Sequence, residues 1–298
     1  MKKIVVTGAT GLIGRHLVAA LRARGDEVVA LSRHAAGLGG ATATRWDPST
    51  SPLPDAAIEG AEALVNLAGE PIGKGRWTAD RRRRIDASRE IVTRRCVDAL
   101  ARHETPVLVN ASAIGYYGST EVPVAETAPE GADFLAGVCG RWESASQRGD
   151  DLARVVQVRT GIVLARDGGA FPRLLRATRL GAAGPLGSGR QWMSWIHLDD
   201  EVAVLLECID SDAIRGPVNA VAPTPIRQRE FASTLARLVH RPCVVPAPAA
   251  LLRLVLGEMA DLLLVGQRVE PAVLTARGFE WDFVTPEQAC RELLARAP

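Results

Sequence analysis

The chain has 298 residues, of which 47% are apolar and 23% charged, with a formal net charge of +2. These values fit a soluble globular protein of one large or two modest domains with a substantial core. The near-balanced charge gives no reason to expect a nucleic acid or another polyanion as partner, and no apolar stretch is long enough to span a bilayer.

Ile4, Val5 and Val6 form a β-branched, apolar run, as expected of a strand buried on both faces of a parallel sheet. Glycines follow at 8, 11 and 14, and Leu12, His16, Leu17, Ala20 and Leu21 then recur at helical spacing. Strand, glycine-rich turn and helix start together make a phosphate site: a tight turn at Gly8, close backbone approach at Gly11, close helix–strand packing at Gly14. Because a structural strand occupies residues 1 to 11, no signal peptide is expected before the fold.

Glu27 to Leu31 reads as a second strand leading to Ser32-Arg33-His34, and Gly37 to Gly40 as a loop. Ala43 to Trp46 is a short third strand ending at Asp47-Pro48, and Ala63 to Leu67 a fourth running into Ala68-Gly69-Glu70. A long helix from about Thr78 to His103 carries Ile85, Val92, Cys96 and Leu100 on one stripe. The basic run Arg81 to Arg84 opens that helix and reads as a solvated face. Val107 to Ala111 is a fifth strand, Leu135, Val138, Trp142 and Ala145 mark a helix, and Val155 to Arg159 is a sixth strand.

This alternation predicts an α/β fold, a Rossmann-type doubly wound parallel sheet over residues 1–160. Residues 161–298 read as a smaller C-terminal substrate lobe with a helical extension, some of its strands returning to the main sheet. Asp199 to Ile209, Gln228 to Val239 and Ala249 to Val265 look helical, the last amphipathic because Arg253, Glu258 and Asp261 break its apolar run. Cys96, Cys139, Cys208, Cys243 and Cys290 are odd in number and scattered, which suits reduced thiols in a cytoplasmic protein and neither disulfides nor a metal site.

The tip of the second strand selects the nucleotide. An acid there suits the ribose of NAD, an Arg the 2′-phosphate of NADP. Leu31-Ser32-Arg33 offers no acid, and Ser32 and Arg33 can both address a phosphate, so NADP (NADPH) is the expected cofactor. Asp47 is placed either to accept from the adenine amino group or to cap its own turn.

At this point the chain resembles the extended, sugar-nucleotide-epimerase-like branch of the short-chain dehydrogenase/reductase superfamily. The likeness rests on the glycines at 8, 11 and 14, Asn66-Leu67-Ala68-Gly69, Ala111-Ser112-Ala113, Tyr117-Gly118, and Gly187 to Gln191 leading to Trp195-Ile196-His197-Leu198-Asp199-Asp200. It covers nearly the whole chain. A narrower likeness is to a subgroup of epimerase family proteins, some labelled cell-division inhibitor homologues, through Asn66 to Glu70, Tyr116-Tyr117-Gly118 and Trp142-Glu143. The resemblance implies that Gly8, Thr10, Gly11, Leu12, Ile13 and Gly14 hold the pyrophosphate. It assigns Ala68, Gly69 and Glu70 to the adenosine-ribose side, with Arg89 as a further cofactor contact. It also implies a homodimer paired through helices near 78–103 and 133–148.

The chemistry departs from the family. Hydride transfer there uses a Tyr and, one helical turn on, a Lys that lowers the Tyr pKa, with a Ser after the fifth strand polarising the substrate oxygen. Ser112 stands where that Ser belongs, but no Lys follows Lys74, and the helix positions for the pair hold Leu135 and Cys139. The only tyrosines are Tyr116 and Tyr117, and their +4 positions are Thr120 and Glu121. Tyr117 is a candidate weak acid beside the nicotinamide pocket; Cys139 reads as a small core residue and His197 as structural. Where nucleotide-sugar binders often carry an Arg, this chain has Met193, so Tyr116, Gln191, Trp192 and Met193 suggest a more apolar substrate surface. Two readings follow. One is an NADP-dependent oxidoreductase or epimerase acting on a small hydroxyl or carbonyl compound, with Ser112 polarising the oxygen and Tyr117 or a bound water shuttling the proton. The other is a non-catalytic, NADP-binding, redox-responsive regulator or scaffold.

Overall fold

The computed structural model describes residues 1–33, 38 and 40–295. Its centre is a seven-stranded sheet in which every pairing is parallel. The strands are β1 (Lys3–Thr7), β2 (Glu27–Ser32), β3 (Thr42–Arg45), β4 (Ala63–Asn66), β5 (Val107–Ala113), β6 (Arg154–Thr160) and β7 (Gly216–Ala220). They lie in the order β7-β6-β5-β4-β1-β2-β3. The winding reverses between β1 and β4, and in open sheets of this kind ligands bind at that reversal, beyond the carboxyl ends of the strands.

The longer helices are α1 (Leu12–Ala23), α2 (Ala79–His103), α3 (Phe134–Gln147), α4 (Phe171–Arg179), α5 (Leu198–Asp210), α6 (Gln228–Leu238), α7 (Ala249–Leu256) and α8 (Pro286–Ala295). On one face of the sheet Ile4, Val6, Val156 and Val158 pack with Leu17 and Leu21 of α1 and Leu205 of α5. On the other, Val5, Leu64, Leu108 and Val155 pack with Val92, Cys96 and Leu100 of α2. Burial on both faces is why the strands read as unbroken apolar runs rather than alternating ones. Thr78 starts α2 by accepting the Arg81 amide at 3.2 Å on its side chain, which satisfies one of the free donors of the first turn.

β7, far along the chain, joins the sheet beside β6. The rest of the second half builds a core of its own from Leu164, Phe171, Met193, Trp195, Phe231 and Leu293. Short strands stitch it together: Ile162–Leu164 beside Trp195–His197, Trp192–Met193 beside Ile226–Arg227, and Gln267–Val269 beside Thr120–Val124.

The structure corrects one helix. The amphipathic segment expected over Ala249 to Val265 is not continuous: α7 stops at Leu256, and single turns cover Gly257–Ala260 and Asp261–Leu264. Gly257 takes φ +62°, a left-handed conformation that ends a helix and that side chains resist. The loop read over Gly37 to Gly40 lies outside the described residues except for Leu38 and Gly40, as does His34. No helix among the described residues is long and apolar enough to cross a membrane.

Candidate functional site

The glycine-rich turn sits between β1 and α1, pressed against the end of β4. Gly8 has φ +67°, and a Cβ there would lie 2.6 Å from the Leu67 carbonyl carbon. At Gly14 a Cβ would lie 2.3 Å from the Gly8 carbonyl oxygen, so helix and turn touch backbone to backbone. Gly11 donates its N–H to the Gly8 carbonyl at 2.9 Å and occupies the N-cap of α1. No side chain caps this helix, and its first turn carries no acid. A bare, positively polarised helix start beyond a strand end is an anion seat. These residues fit a dinucleotide diphosphate.

Around this seat, Arg33 is exposed just past β2. Asp47 turns inward on its own loop: its Oδ1 accepts the amide (3.0 Å) and hydroxyl (2.6 Å) of Ser49. Those bonds, with Arg33 and Arg45 nearby, hold its carboxyl below the usual range. Asp47 thus caps its own turn through Oδ1. Ala68 and Gly69 lead from β4 to Glu70, whose carboxylate is paired with Arg81 and whose N–H is 3.1 Å from the Ser88 hydroxyl. Arg89 reaches back to the same loop. It donates to the carbonyls of Ile85 (2.8 Å) and Glu70 (3.2 Å), with its guanidinium 5.0 Å from the Trp142 ring. A buried ladder fixes the strand ends below: the Thr7 hydroxyl donates to Asn66 Oδ1 (2.7 Å), and Asn66 Nδ2 donates to Thr93 (3.0 Å) and Asn110 (2.7 Å).

Leu135 and Cys139 stand against the turn after β5, with Leu135 Cβ 3.5 Å and Cys139 Sγ 3.8 Å from where a Cβ on Gly115 would lie. Burial, then the nearby Glu143 carboxylate, pushes the Cys139 thiol up to about 12. It is inert as an acid, base or nucleophile at neutral pH.

No local pattern marks the arrangement one turn further along α3. There Glu143 meets Arg159 of β6 in a buried ion pair, Nε to Oε1 and Nη2 to Oε2 both at 2.8 Å. The Ser112 hydroxyl, on β5, donates to Glu143 Oε1 at 2.6 Å. Arg159 Nη1 donates to the Tyr117 hydroxyl (2.8 Å) and to the Glu126 carbonyl (3.0 Å), and its guanidinium lies 3.6 Å from the Tyr116 ring centre. Tyr117 in turn donates to Asn219 Oδ1 of β7 at 2.6 Å. Every donor direction is fixed, since Arg can only donate and an ionised carboxylate only accept. Burial, outweighing the neighbouring Arg159, pushes the Tyr117 phenol up to about 12. Ser112 and Tyr117 therefore belong to one network, but the proton of each is spent inside it.

The four residues read as substrate surface each have contacts within the protein. Met193 is in the core of the second half, and the Gln191 amide holds the carbonyls of Leu186 (3.0 Å) and Leu263 (2.6 Å). Trp192 lies between the guanidinium groups of Arg227 (3.8 Å) and Arg268 (4.9 Å), while Tyr116 stacks on Arg159. His197 has both ring nitrogens engaged: Nδ1 accepts the Asp199 N–H at 3.1 Å and Nε2 lies 3.0 Å from Glu292.

Glu201, in the first turn of α5, is fully buried. Its Oε1 accepts the Thr160 hydroxyl at 2.8 Å, and its Oε2 has no partner among the described residues. Burial raises its pKa from 4.5 to about 8, against the smaller pull of the Thr160 bond. Between those values the folded protein holds a proton that the unfolded chain has lost, so this carboxyl's stabilising contribution is full below 4.5 and falls as pH rises through about 8. The loss is about 1 kcal/mol per pH unit. Urea unfolding at about pH 5.5 and about pH 7.5 is expected to show a smaller fall for Glu201→Gln than for the parent chain. Equal falls would assign the pH dependence elsewhere.

Comparison with known proteins agrees with this geometry. Residues 4–220 match the NAD dependent epimerase/dehydratase family, and residues 247–293 match a domain of unknown function (DUF1731). The chain is 37% identical to the chloroplastic epimerase family protein SDR39U1 homolog of Arabidopsis thaliana, over 98% of this chain and 86% of that one. It is also 37% identical to the epimerase family protein Mb2239 of Mycobacterium bovis, over 96% and 95% of the two chains. Human epimerase family protein SDR39U1 (isoform2), solved with NADPH, superposes with a TM-score of 0.90 at 32% identity, covering 99% of this chain and all of that one. Sequence, topology and the glycine-rich seat point the same way: the chain belongs to the NAD-dependent epimerase/dehydratase family.

Proposed function

We propose that the chain binds NADPH in preference to NADH and serves as an oxidoreductase or epimerase for a small compound bearing a hydroxyl or carbonyl group. One observation carries this reading: an uncapped α1 start faces the glycine-rich turn, while the tip of β2 offers Ser32 and the exposed Arg33 and no acid. The turn from Gly8 to Gly14, including Thr10, Leu12 and Ile13, would hold the diphosphate, and Ser32 and Arg33 the 2′-phosphate. Ala68, Gly69, Glu70 and Arg89 would border the ribose side. The NADPH bound by the human relative supports the choice of nucleotide. The nicotinamide supplies or accepts a hydride.

The proton falls to the chain's own residues. Because Ser112 gives its hydrogen to Glu143, it offers a substrate only lone pairs. Its oxygen is placed to orient a substrate hydroxyl by accepting its hydrogen bond, and the Glu143–Arg159 pair holds that oxygen in position. Tyr117 positions Arg159 and does not titrate near neutrality. The test is a fluorescence titration with NADPH and NADH. NADPH is expected to bind more tightly, and Arg33→Ala to weaken NADPH by about tenfold or more with little effect on NADH. Equal loss for both nucleotides, or none, would refute the 2′-phosphate assignment.

A further inference from the structure

Away from the glycine-rich turn, α4, α6 and α8 border a groove that no step above uses. It consists of two adjoining cavities of about 400 and 460 Å³ that share Arg179 and Leu294. Its apolar lining comes from one leucine or more on each helix: Leu175 on α4, Leu238 on α6, Leu293 and Leu294 on α8. Its polar lining is of a single sign. Arg166, Arg176, Arg179 and Arg241 line it, and among the described residues no Asp or Glu lines either cavity.

Two nearby arginines that do not line it are paired. Arg237 of α6 and Arg291 of α8 share Glu287, each at 2.7 Å. The four at the groove have no ion-pair partner among the described residues, and Nη1 of Arg166 is shut away from solvent with no acceptor. Gathered like charges repel, and a buried donor without an acceptor is costly; an anion in the groove relieves both. The leucine lining adds what a bare anion site lacks, a surface that water covers poorly. We infer that this groove binds an amphipathic anion: a phosphate or carboxylate head held by the arginines, with an aliphatic chain along the leucines.

Isothermal titration with octyl phosphate, inorganic phosphate and octanol tests the two halves of the claim on the full chain. Octyl phosphate is expected to bind at one site, with inorganic phosphate and octanol each weaker by about tenfold or more. Arg176→Ala/Arg179→Ala is expected to weaken octyl phosphate by about tenfold while leaving the NADPH affinity as it was. Both side chains are exposed, so the fold should survive the change. Unchanged octyl phosphate binding in that variant overturns the assignment to these arginines. Inorganic phosphate binding as tightly as octyl phosphate removes the aliphatic half, and octanol binding as tightly removes the anionic half. Saturable binding to phosphatidylglycerol vesicles, with none to monomeric octyl phosphate, would replace the cavity by a membrane-facing surface.

Discussion

Replacing Arg159 by Met is expected to lower the free energy of unfolding by about 3–5 kcal/mol, measured by urea denaturation at neutral pH. The substitution keeps most of the side-chain volume but leaves Glu143 ionised and buried with only the Ser112 hydroxyl, and takes from Tyr117 its one donor. Removing one member of a buried pair leaves a charge uncompensated, which costs far more than the pair itself contributes. The double variant Arg159→Met/Glu143→Leu is therefore expected to recover much of the loss. If the single variant unfolds at the parent urea concentration, the pair is not the structural centre that its burial indicates. NADPH binding should survive in the double variant, because neither side chain belongs to the diphosphate seat.

The second large effect is expected at Gly14. A Val there would put Cβ 2.3 Å from the Gly8 carbonyl oxygen and 2.9 Å from Ala9 Cα, both backbone atoms that cannot swing away. Helix α1 must retreat from the turn, and its first-turn N–H groups move off the diphosphate position. NADPH affinity should drop by about a hundredfold or more, and stability by about 1–3 kcal/mol from the forced backbone shift. A titration beside a thermal melt separates the two. Near-normal affinity in a folded Gly14→Val chain would show that the close approach of α1 is not what seats the cofactor.

The glycine-rich turn was legible because its three functions each demand glycine within one short window. β1, β4 and β5 were legible because strands buried on both faces must be apolar throughout, and α2 because its stripe recurs from Ile85 to Leu100. The Ser112–Glu143–Arg159–Tyr117 network was not. Its members come from β5, α3, β6 and the turn after β5, and their proximity follows from sheet order, which no local pattern encodes. Arg159 in particular looks like the polar residue that ends a strand. The short pairing of Thr120–Val124 with Gln267–Val269 was hidden for the same reason, since three residues show no period. The break at Gly257 was within reach: a single glycine inside an otherwise helical run is a stop signal.

The position of β7 has a consequence for how the chain is made. β6 cannot present a finished edge until Gly216–Ala220 pairs with it, and those residues come more than fifty positions later in the sequence. At about 5–20 residues per second, a nascent chain waits seconds with β6 as an open edge, its N–H and C=O groups bare. A fragment ending near residue 160 would remain in that state permanently. It should self-associate or be held by a chaperone, whereas in one extended past Ala220 β6 has a partner on both sides and β7 forms the margin. The sheet is one folding unit whose last piece is delivered by the half of the chain that looks like a separate lobe.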